Sequence, residues 1–485
     1  MNVKSVFHVI AWLLGVVGLL MGLCGLVSFL HGEPLWAWSA LGYSAAGSIL
    51  LAVVMGAGTR NQQELSRRDG LGVVTFGWLL AGMAGAAPFY LSGLVTSPFA
   101  ALFESISGMT TTGATVFVTL EEVPKGLLLW RAITQYIGGM GVLILVVAIL
   151  PFAGAGGMQL FRAEMPGPSK DRIEPRVASS AKMLWGVYVL LTVVLMFLLR
   201  LGGMDWFDSV CHSFTTMATG GFSTRTASVS AFQSSYIEGL LVVFMLLAGI
   251  NFSLHYRVLR GEPFSLWRSG EARFFLLIFA SFSLVGTVVL HSSAGGADFT
   301  WRHAFREVSF TCASMMTTTG FTTGDYDRWP ELIKAMLVFL MLMGGCAGST
   351  AGGIKVGRIQ VMLKTVAREV RLFMQPQAVI PIRLDRKFLA DHILLAILSF
   401  VALYLFVMLV GVLAMLPFTP DIQTAISSVI TCMGNVGPGF SAVGPTLNFS
   451  SIPPAGHVLL TLLMLVGRLE LYTVLAIFMP AFWRK

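Results

Sequence analysis

The sequence predicts an all-α integral membrane protein in which four similar units, each built as helix, half-helix and helix, surround one pore. Three observations predict this fold class. Hydrophobic residues make up 55% of the 485 residues and charged residues only 12%, whereas soluble domains have roughly 25% charged residues. Ten apolar runs are long enough to cross a bilayer. A short signature that ends in glycine appears four times along the chain.

The ten apolar runs are predicted transmembrane helices, because about 20 helical residues cross the hydrocarbon core. The predicted spans are 6–31, 36–56, 69–94, 128–152, 182–202, 237–260, 272–291, 331–367, 388–416 and 455–480. The first run is too long for the apolar part of a signal peptide and lacks a clear cleavage site. The run 331–367 contains a glycine-rich break, and 388–416 is predicted to tilt or to extend into the interface.

Four semi-apolar segments are too short to cross a membrane and are predicted to be re-entrant half-helices. They cover 98–109, 205–217, 301–316 and 420–433, and each lies before one copy of the signature and a spanning helix. Such a repeat defines the organisation of the chain. The predicted units are an N-terminal helix pair at 1–68 and pore repeats at 69–181, 182–271, 272–387 and 388–485, with a gating loop at 344–353.

The signature runs from a Met to a Gly in each copy. Its copies are Met109–Gly113 (MTTTG), Met217–Gly221 (MATGG), Met316–Gly320 (MTTTG) and Met433–Gly437 (MGNVG). A hydroxyl residue stands two places before each Met, at Ser107, Thr215, Ser314 and Thr431. This register selects Gly221 over Gly220, and Gly437 over Gly434, as the glycines that correspond to Gly113 and Gly320.

These segments have the composition of a filter for a dehydrated cation. Backbone carbonyls can replace the water of an ion, glycine permits the required dihedral angles, and hydroxyl groups add oxygens. The absence of a carboxylate within any copy favours a monovalent ion over a divalent one. The predicted filter residues are Thr110, Thr111, Thr112, Gly113, Thr219, Gly220, Gly221, Thr317, Thr318, Thr319, Gly320, Asn435, Val436 and Gly437. The alternative for any single copy is a close-packing surface between helices.

A second candidate site interrupts the apolar run that follows the third signature. It consists of Gly344, Gly345, Cys346, Ala347, Gly348, Ser349, Thr350, Ala351, Gly352 and Gly353. Each glycine in a helix interior costs about 1 kcal/mol relative to alanine, and non-helical backbone at membrane depth must be enclosed by protein or line a cavity. The segment is therefore predicted to be a gating loop below the filter. A kinked helix that packs closely is the alternative. A phosphate-binding loop is excluded because Ile354 stands where glycine must precede Lys355.

Arg468 is the third candidate, because a charge at membrane depth is costly and usually faces a cavity or a partner. It is predicted to form an electrostatic barrier beneath the filter; the alternative is an ion pair that holds the helices together. Glu470 points away from it along the predicted helix and is expected to have a partner on another segment.

Other carboxylates are predicted to have supporting roles. Asp208 and Glu307 lie near the starts of their half-helices, where a carboxylate suits the helix dipole, and are predicted to be capping residues. The acidic residues of the outer loops are predicted to form a solvated rim, and attraction of cations to the mouth is the alternative. They are Glu121, Glu122, Asp325 and Asp327.

Basic residues are concentrated in alternate loops. By the positive-inside rule, this pattern predicts how the chain is oriented in the membrane. The loops are 57–68, 153–182, 257–273 and 355–387, together with the C-terminal Arg484 and Lys485. They are predicted to be cytoplasmic, as are both termini, and the signatures then open to the outside. The net charge of +8 thus reflects topology rather than nucleic-acid binding. The five cysteines form no CxxC pair and are predicted to be small apolar residues.

Together these features resemble the Trk/Ktr/HKT superfamily of potassium transporters over essentially the whole chain. The extra N-terminal helix pair is similar to that of the bacterial TrkH/TrkG branch. By this resemblance Gly113, Gly221, Gly320 and Gly437 match the filter glycines, the segment 344–353 matches the intramembrane gating loop, and Arg468 matches the basic gate residue. In plant relatives a Ser in the first filter is associated with sodium transport, so Gly113 implies a preference for potassium.

The resemblance implies a non-enzymatic protein for potassium uptake across the bacterial inner membrane, with potassium as substrate and no organic cofactor in this chain. It also implies a homodimer with one pore in each protomer, which binds a cytosolic TrkA-type nucleotide-binding subunit. The alternatives are a transporter of another monovalent cation such as sodium or ammonium, a packing protein without a pore, a metabolite transporter or a membrane enzyme. An enzyme would require paired carboxylates or a His/Asp cluster at membrane depth, which the sequence lacks. Passive and ion-coupled transport both remain open.

Overall fold

The chain is built almost entirely from helices, which confirms the all-α fold class. The computed structural model describes residues 2–57, 59, 66–149, 173–293, 300–384 and 387–483. The long helices are Val3–Leu30, Leu35–Ala57, Arg67–Leu91, Lys125–Ile149, Ile173–Leu201, Gly270–Ser293, Val356–Met374 and Asp391–Met415. The predicted loop region 153–172 and the C-terminal Arg484 and Lys485 lie outside the described residues.

Six helices in the described ranges are long and apolar enough to cross a membrane. They are Val3–Leu30, Leu35–Ala57, Arg68–Leu91, Ala181–Leu201, Gly270–Ser293 and Asp391–Phe418. Their outward faces carry large apolar side chains: on the last of them Leu395, Phe406 and Leu413 are exposed, while Phe400 and Tyr404 are buried. Exposed apolar patches of this size indicate a lipid environment.

Two of the predicted continuous spans are wrong, because each is a pair of helices joined at a sharp bend. The predicted span 237–260 consists of Ser235–Gly249 and Phe252–Leu259, bent by 102°. Between them Ile250 is extended, and the Asn251 side chain accepts a hydrogen bond from the Ser253 N–H and so begins a new helix. Side-chain capping of this kind satisfies the free N–H groups at a helix start.

The second bend divides the predicted span 455–480 into Pro454–Arg468 and Leu471–Phe478, at an angle of 113°. Glu470 lies at the bend with a φ of +57° and pairs with Arg358 at 2.9 Å. Glu470 therefore has its partner on another segment, as predicted. However, Arg468 ends its helix and does not lie within a continuous one.

The four predicted half-helices are confirmed. They are Pro98–Met109, Trp206–Met217, Trp301–Met316 and Ile422–Gly434. The first begins with proline, which suits the first helical position. The side chains of Asp205, Thr300 and Asp421 cap the other three. The predicted capping roles of Asp208 and Glu307 are therefore wrong, because the residues that precede each helix already satisfy its free N–H groups.

The third repeat has the predicted break, with helix Glu331–Met343 separated from Val356–Met374 by a non-helical segment. The remaining elements are short. They are the helices Ser265–Arg268 and Pro480–Trp483, the 3-10 turns Ser228–Phe232, Tyr326–Arg328, Leu416–Phe418, Ser441–Val443 and Phe449–Ser451, and the strands Arg383–Leu384 and Lys387–Phe388. The two strands pair antiparallel, with Arg383 opposite Phe388.

The N-terminal helices Val3–Leu30 and Leu35–Ala57 pack as a hairpin through small residues. A Cβ on Gly18 would lie 2.7 Å from Ile49 Cγ1, and one on Gly25 would lie 3.3 Å from Leu41 Cβ. Glycine at these positions lets the two backbones approach closely, as in other membrane helix pairs.

Candidate ion filter and gating loop

The four signatures adopt one backbone conformation. The residue two places before the final glycine is left-handed in every copy, with φ of 52° at Thr111, 53° at Thr219, 55° at Thr318 and 55° at Asn435. The final glycines also have positive φ, from 73° at Gly221 to 103° at Gly437. A β-branched threonine at positive φ is strained, and such strain persists where the surroundings enforce it, often at functional sites. Asparagine tolerates this conformation, so Asn435 keeps the same backbone as the threonines.

Backbone hydrogen bonds confirm the Met-to-Gly register. In each copy the N–H of the residue before the glycine donates to the carbonyl of the hydroxyl residue two places before the Met. The four bonds are Thr112 N to Ser107 O, Gly220 N to Thr215 O, Thr319 N to Ser314 O and Val436 N to Thr431 O, each 2.8 Å long. The sequence alignment that selected Gly221 and Gly437 is thus also the structural alignment.

The four segments close into a ring in chain order. A Cβ on Gly113 would lie 2.2 Å from Gly220 O, one on Gly221 would lie 1.9 Å from Thr319 O, one on Gly320 would lie 2.1 Å from Val436 O, and one on Gly437 would lie 2.7 Å from Thr112 O. Each final glycine therefore lies against a carbonyl of the next copy, and the fourth lies against the first. Only glycine permits this approach together with a positive φ.

The segments beyond the glycines are also joined in chain order. Glu121 accepts hydrogen bonds from Thr226, and the Thr322 N–H donates to Ser228 Oγ. Ser441 N–H donates to Asp327 Oδ2, and Phe449 N–H donates to Thr115 O. These bonds connect repeat one to two, two to three, three to four and four to one.

Glu121 therefore has a structural role, because its hydrogen bonds to Thr226 join the outer loops of the first and second repeats. Desolvation raises the pKa of its carboxyl, but the hydrogen bonds from the Thr226 side chain and backbone outweigh that effect and hold the pKa below its usual range. Asp325 is likewise paired, with Arg328 at 2.9 Å.

A carboxylate on or just before each half-helix binds the chain that follows the signature. Glu104 accepts from Val116 N–H at 2.9 Å, Asp208 from Thr224 Oγ1 at 2.6 Å, Glu307 from Thr323 Oγ1 at 2.9 Å, and Asp421 from Ser441 Oγ at 3.1 Å. These bonds hold both ends of each signature to its own half-helix. This is the role of Asp208 and Glu307 in place of the predicted capping.

Sequence reasoning missed Arg131, which joins the first two repeats inside the protein. Its Nε lies 2.8 Å from Glu104 Oε1, and the two side chains are 2% and 0% exposed. The guanidinium also donates to Ser223 O at 3.1 Å and lies 4.0 Å above the Phe222 ring. The available signal was an arginine within the apolar run 128–152.

Two amides bridge neighbouring signatures. Gln135 Nε2 donates to Gly220 O at 2.6 Å, and its Oε1 accepts from the Phe222 N–H at 3.1 Å. Asn435 Nδ2 donates to Thr112 Oγ1 at 3.0 Å. Gln135 thereby links the first repeat to the second, and Asn435 links the fourth to the first. The departure of the fourth copy from Thr at this position thus provides a contact that a threonine could not reach.

The predicted gating loop lies directly against three of the four signatures. Thr350 Oγ1 donates to Met217 O at 3.0 Å, and Gly352 N–H donates to Thr318 Oγ1 at 2.7 Å. A Cβ on Gly352 would lie 2.3 Å from Gly434 O. The loop therefore contacts copy two at Met217, copy three at Thr318 and copy four at Gly434.

The loop is folded compactly on itself and held by its neighbours. A Cβ on Gly344 would lie 2.2 Å from Gly352 O, which shows that the two ends of the loop meet. Cys346 N–H donates to Gly249 O at 2.8 Å, at the bend of the second repeat. Glu271 Oε1 accepts from the N–H groups of Ala347 and Gly357. Sequence reasoning missed Glu271.

Arg468 is 4% exposed, and its Nη1 donates to Thr350 O at 2.7 Å. Its Nε and Nη2 are buried without a protein partner among the described residues, and so is Thr111 Oγ1. Buried polar atoms of this kind are normally satisfied by water or an ion. Lys355, another residue that sequence reasoning missed, donates from Nζ to Ala351 O. Two cations therefore bind the carbonyls of the loop.

Comparison with known proteins identifies the family. The family model of the TrkH cation transport proteins matches residues 44–485. The chain is 42% identical over 434 residues to the Trk system potassium uptake protein TrkH of Escherichia coli K12, which covers 88% of each chain. It is 39% identical over 498 residues to TrkH of Salmonella typhimurium, covering 100% of both.

The fold also matches a solved structure. The crystal structure of the potassium transporter TrkH from Vibrio parahaemolyticus superposes with a TM-score of 0.90, at 35% identity over 100% of both chains. The match to the family model covers most of the chain, and the fold agrees over its full length. The chain therefore belongs to the TrkH family of cation transport proteins, which are multi-pass membrane transporters and not enzymes.

Proposed function

We propose that this protein takes up potassium through a filter formed by its four signatures. The observation that carries the proposal is the closed ring, in which each final glycine lies against a carbonyl of the next copy. Four copies with one backbone conformation place equivalent oxygens around one axis. Backbone carbonyls arranged in this way can replace the hydration shell of a monovalent cation. The relatives are named as potassium uptake proteins, which supports potassium as the ion.

The proposed filter residues are those of the signatures, from Thr110 to Gly113, Thr219 to Gly221, Thr317 to Gly320 and Asn435 to Gly437. The buried hydroxyl of Thr111, which has no partner among the described residues, is proposed to add an oxygen to the filter. Each half-helix ends at its signature, and the partial negative charge of a helix C-terminus favours a cation there. The ring contains no carboxylate, which suits a weakly hydrated monovalent ion.

The loop 344–353 is proposed to be the gate. It lies against three signatures through Thr350 and Gly352, where an ion that leaves the filter has to pass. Arg468 adds a positive charge at the same level and holds the loop through Thr350 O. Opening requires that the loop moves off the signatures and that this hydrogen bond breaks.

The surroundings of the pore follow from the same proposal. The similarity to bacterial Trk system proteins supports the bacterial inner membrane as the location. Both termini are proposed to be cytoplasmic, because basic residues are concentrated in the loops on one side. It is proposed to form a homodimer and to bind a cytosolic, nucleotide-binding subunit of the TrkA type that moves the loop.

The proposal is tested by ion flux into liposomes that contain the purified protein. We expect uptake of potassium, or of rubidium as its substitute, to exceed uptake of sodium, since a filter built from carbonyls discriminates between potassium and sodium. Protein-free liposomes are the control. Uptake of neither ion by the wild type or by the Arg468→Ala variant, whose gate is expected to open, contradicts the function. Equal or greater uptake of sodium or ammonium contradicts the selectivity. A proton gradient imposed in the same vesicles distinguishes passive from coupled transport.

Replacement of Arg468 by Ala should raise potassium flux in the absence of any partner subunit. The change removes a charge-assisted hydrogen bond, and such bonds contribute roughly 1.5–3 kcal/mol, so we expect an increase of about tenfold. Shortening the loop by deleting Ala347 and Gly348 should act in the same direction. Arg371→Ala, at an exposed position, is the matched control. Unchanged flux in both the Arg468 and the loop variants would indicate that the loop is a packing element.

A further inference from the structure

A basic cavity lies between helix Gly270–Ser293 and helix Val356–Met374, at the end of the first helix that is remote from its half-helix. Its volume is about 860 Å³, within the range of roughly 300–1,000 Å³ of small-molecule sites. Its lining contains four cations, namely Arg268, Arg273, Lys364 and Arg383, together with Trp267, Phe274, Leu277 and Gln360.

The four cations have no carboxylate partner among the described residues, in contrast to their neighbours. Arg257 pairs with Glu262 at 2.6 Å, and Arg368 pairs with both Glu369 and Asp391. Within the described ranges, Lys364 Nζ donates to one group, the Arg383 carbonyl, at 2.8 Å. Four like charges around one cavity repel one another unless an anion lies between them.

The apolar part of the lining indicates that the anion comes from the membrane and not from solution. Trp267 is 64% exposed and Leu277 is 62% exposed, so the cavity opens onto an apolar surface. Leu277 lies on a helix that is long and apolar enough to cross a membrane. Tryptophan is enriched at the level of lipid headgroups. Basic pockets between transmembrane helices, with apolar residues below them, suit the phosphate and the acyl chains of a lipid together.

We propose that this cavity is a binding site for an anionic phospholipid. The arginine and lysine side chains hold the phosphate, and Trp267, Phe274 and Leu277 contact the first part of the acyl chains. A soluble partner protein would use the charges but would not require the exposed apolar residues on the membrane-spanning helix.

The site is connected to the loop 344–353 from two directions. Gly270 in the cavity wall precedes Glu271, which accepts hydrogen bonds from Ala347 and Gly357. Gln360 and Lys364 lie on the helix that begins directly after the loop. A bound lipid would neutralise the repulsion between the two helices and so stabilise the position of the loop. Lipid binding itself does not depend on the proposed ion selectivity.

The test is lipid binding to the purified full chain in detergent, measured by native mass spectrometry with phosphatidylglycerol and with phosphatidylcholine as the uncharged comparison. We expect the wild type to retain phosphatidylglycerol more strongly. The double substitution Arg273→Gln with Lys364→Gln should weaken its binding by roughly 30-fold, from the loss of two basic contacts. Arg260→Gln with Arg371→Gln, which removes two exposed charges outside the cavity, should leave binding within about threefold of the wild type.

A thermal melt gives a second readout, because a ligand that binds the folded state raises the melting temperature. Phosphatidylglycerol should raise the melting temperature of the wild type and of the control variant by similar amounts. It should raise the melting temperature of the cavity variant much less. Equal affinity for the two lipids, or equal loss in both double variants, overturns the proposal. Displacement of the lipid by millimolar inorganic phosphate would identify a site for a free anion instead. If the cavity variant retains lipid but loses binding of a cytosolic subunit, the cavity is a protein docking surface.

Discussion

Gly113→Ser should lower the ratio of potassium to sodium flux by about tenfold or more, because a left-handed backbone costs an L-residue about 1–2 kcal/mol. Gly113 has a φ of +84°. The new Cβ would also lie 2.2 Å from Gly220 O, a carbonyl of the neighbouring copy. The side chain can be accommodated only if the ring opens between the first and second repeats, and the carbonyls then no longer replace the hydration shell of potassium equally well.

The measurement is rubidium and sodium uptake by liposomes that contain equal amounts of each variant. Gly239→Ser is the matched control, since a Cβ on this exposed helical glycine meets no atom within 4 Å. Gly320→Ser should reproduce the effect, because its Cβ would lie 2.1 Å from Val436 O. An unchanged ratio in both filter variants would show that the ring does not determine selectivity.

Arg131→Met should cost the fold about 3–5 kcal/mol, because it leaves the Glu104 carboxylate buried without its counter-charge. Glu104 and Arg131 are almost completely inaccessible to solvent. The same arginine donates to Ser223 O in the second repeat, so its removal also weakens the junction between the first two repeats. We therefore expect a lower melting temperature in detergent and reduced potassium uptake in liposomes.

The control for this change is Lys334→Met, which breaks a pair with the exposed Glu331 and should cost less than about 1 kcal/mol. The double variant Glu104→Gln with Arg131→Met removes the buried charge altogether and should be more stable than Arg131→Met alone. A loss as small as that of Lys334→Met, or a double variant no more stable than the single one, would contradict the role assigned to the ion pair.

Local pattern was sufficient to predict the helices, the half-helices and the register of the signatures. Apolar runs of about 20 residues have few alternatives to a membrane helix, since every backbone polar group must be satisfied within the segment. The four copies shared a Met, a glycine and a hydroxyl at fixed spacing, and the backbone bonds from Thr112, Gly220, Thr319 and Val436 follow that spacing. The break at 344–353 was also predictable, because glycine is a poor helix former.

The two other breaks were not predictable from hydropathy, because single polar residues, Asn251 at one break and Arg468 and Glu470 at the other, leave the average over each run apolar. The break at Asn251 depends on a side chain that caps the next helix. The break at Glu470 depends on Arg358, which lies 112 residues earlier in the chain. Hydropathy measures transfer into lipid and contains no information about such distant partners.

The sequence by itself determined the membrane class, the four repeats and which residues form the signatures, because these follow from interactions between residues close in the chain. Only the tertiary structure decided that the signatures close in chain order, that Arg131, Gln135 and Asn435 join neighbouring repeats, and that the loop lies on the second, third and fourth copies. The physical reason is that these contacts are made by single groups from segments that lie far apart in the chain, 34 residues in one case and 323 residues in another. The cost of burying a polar group without a partner requires that such contacts exist, but the sequence does not specify which residues provide them.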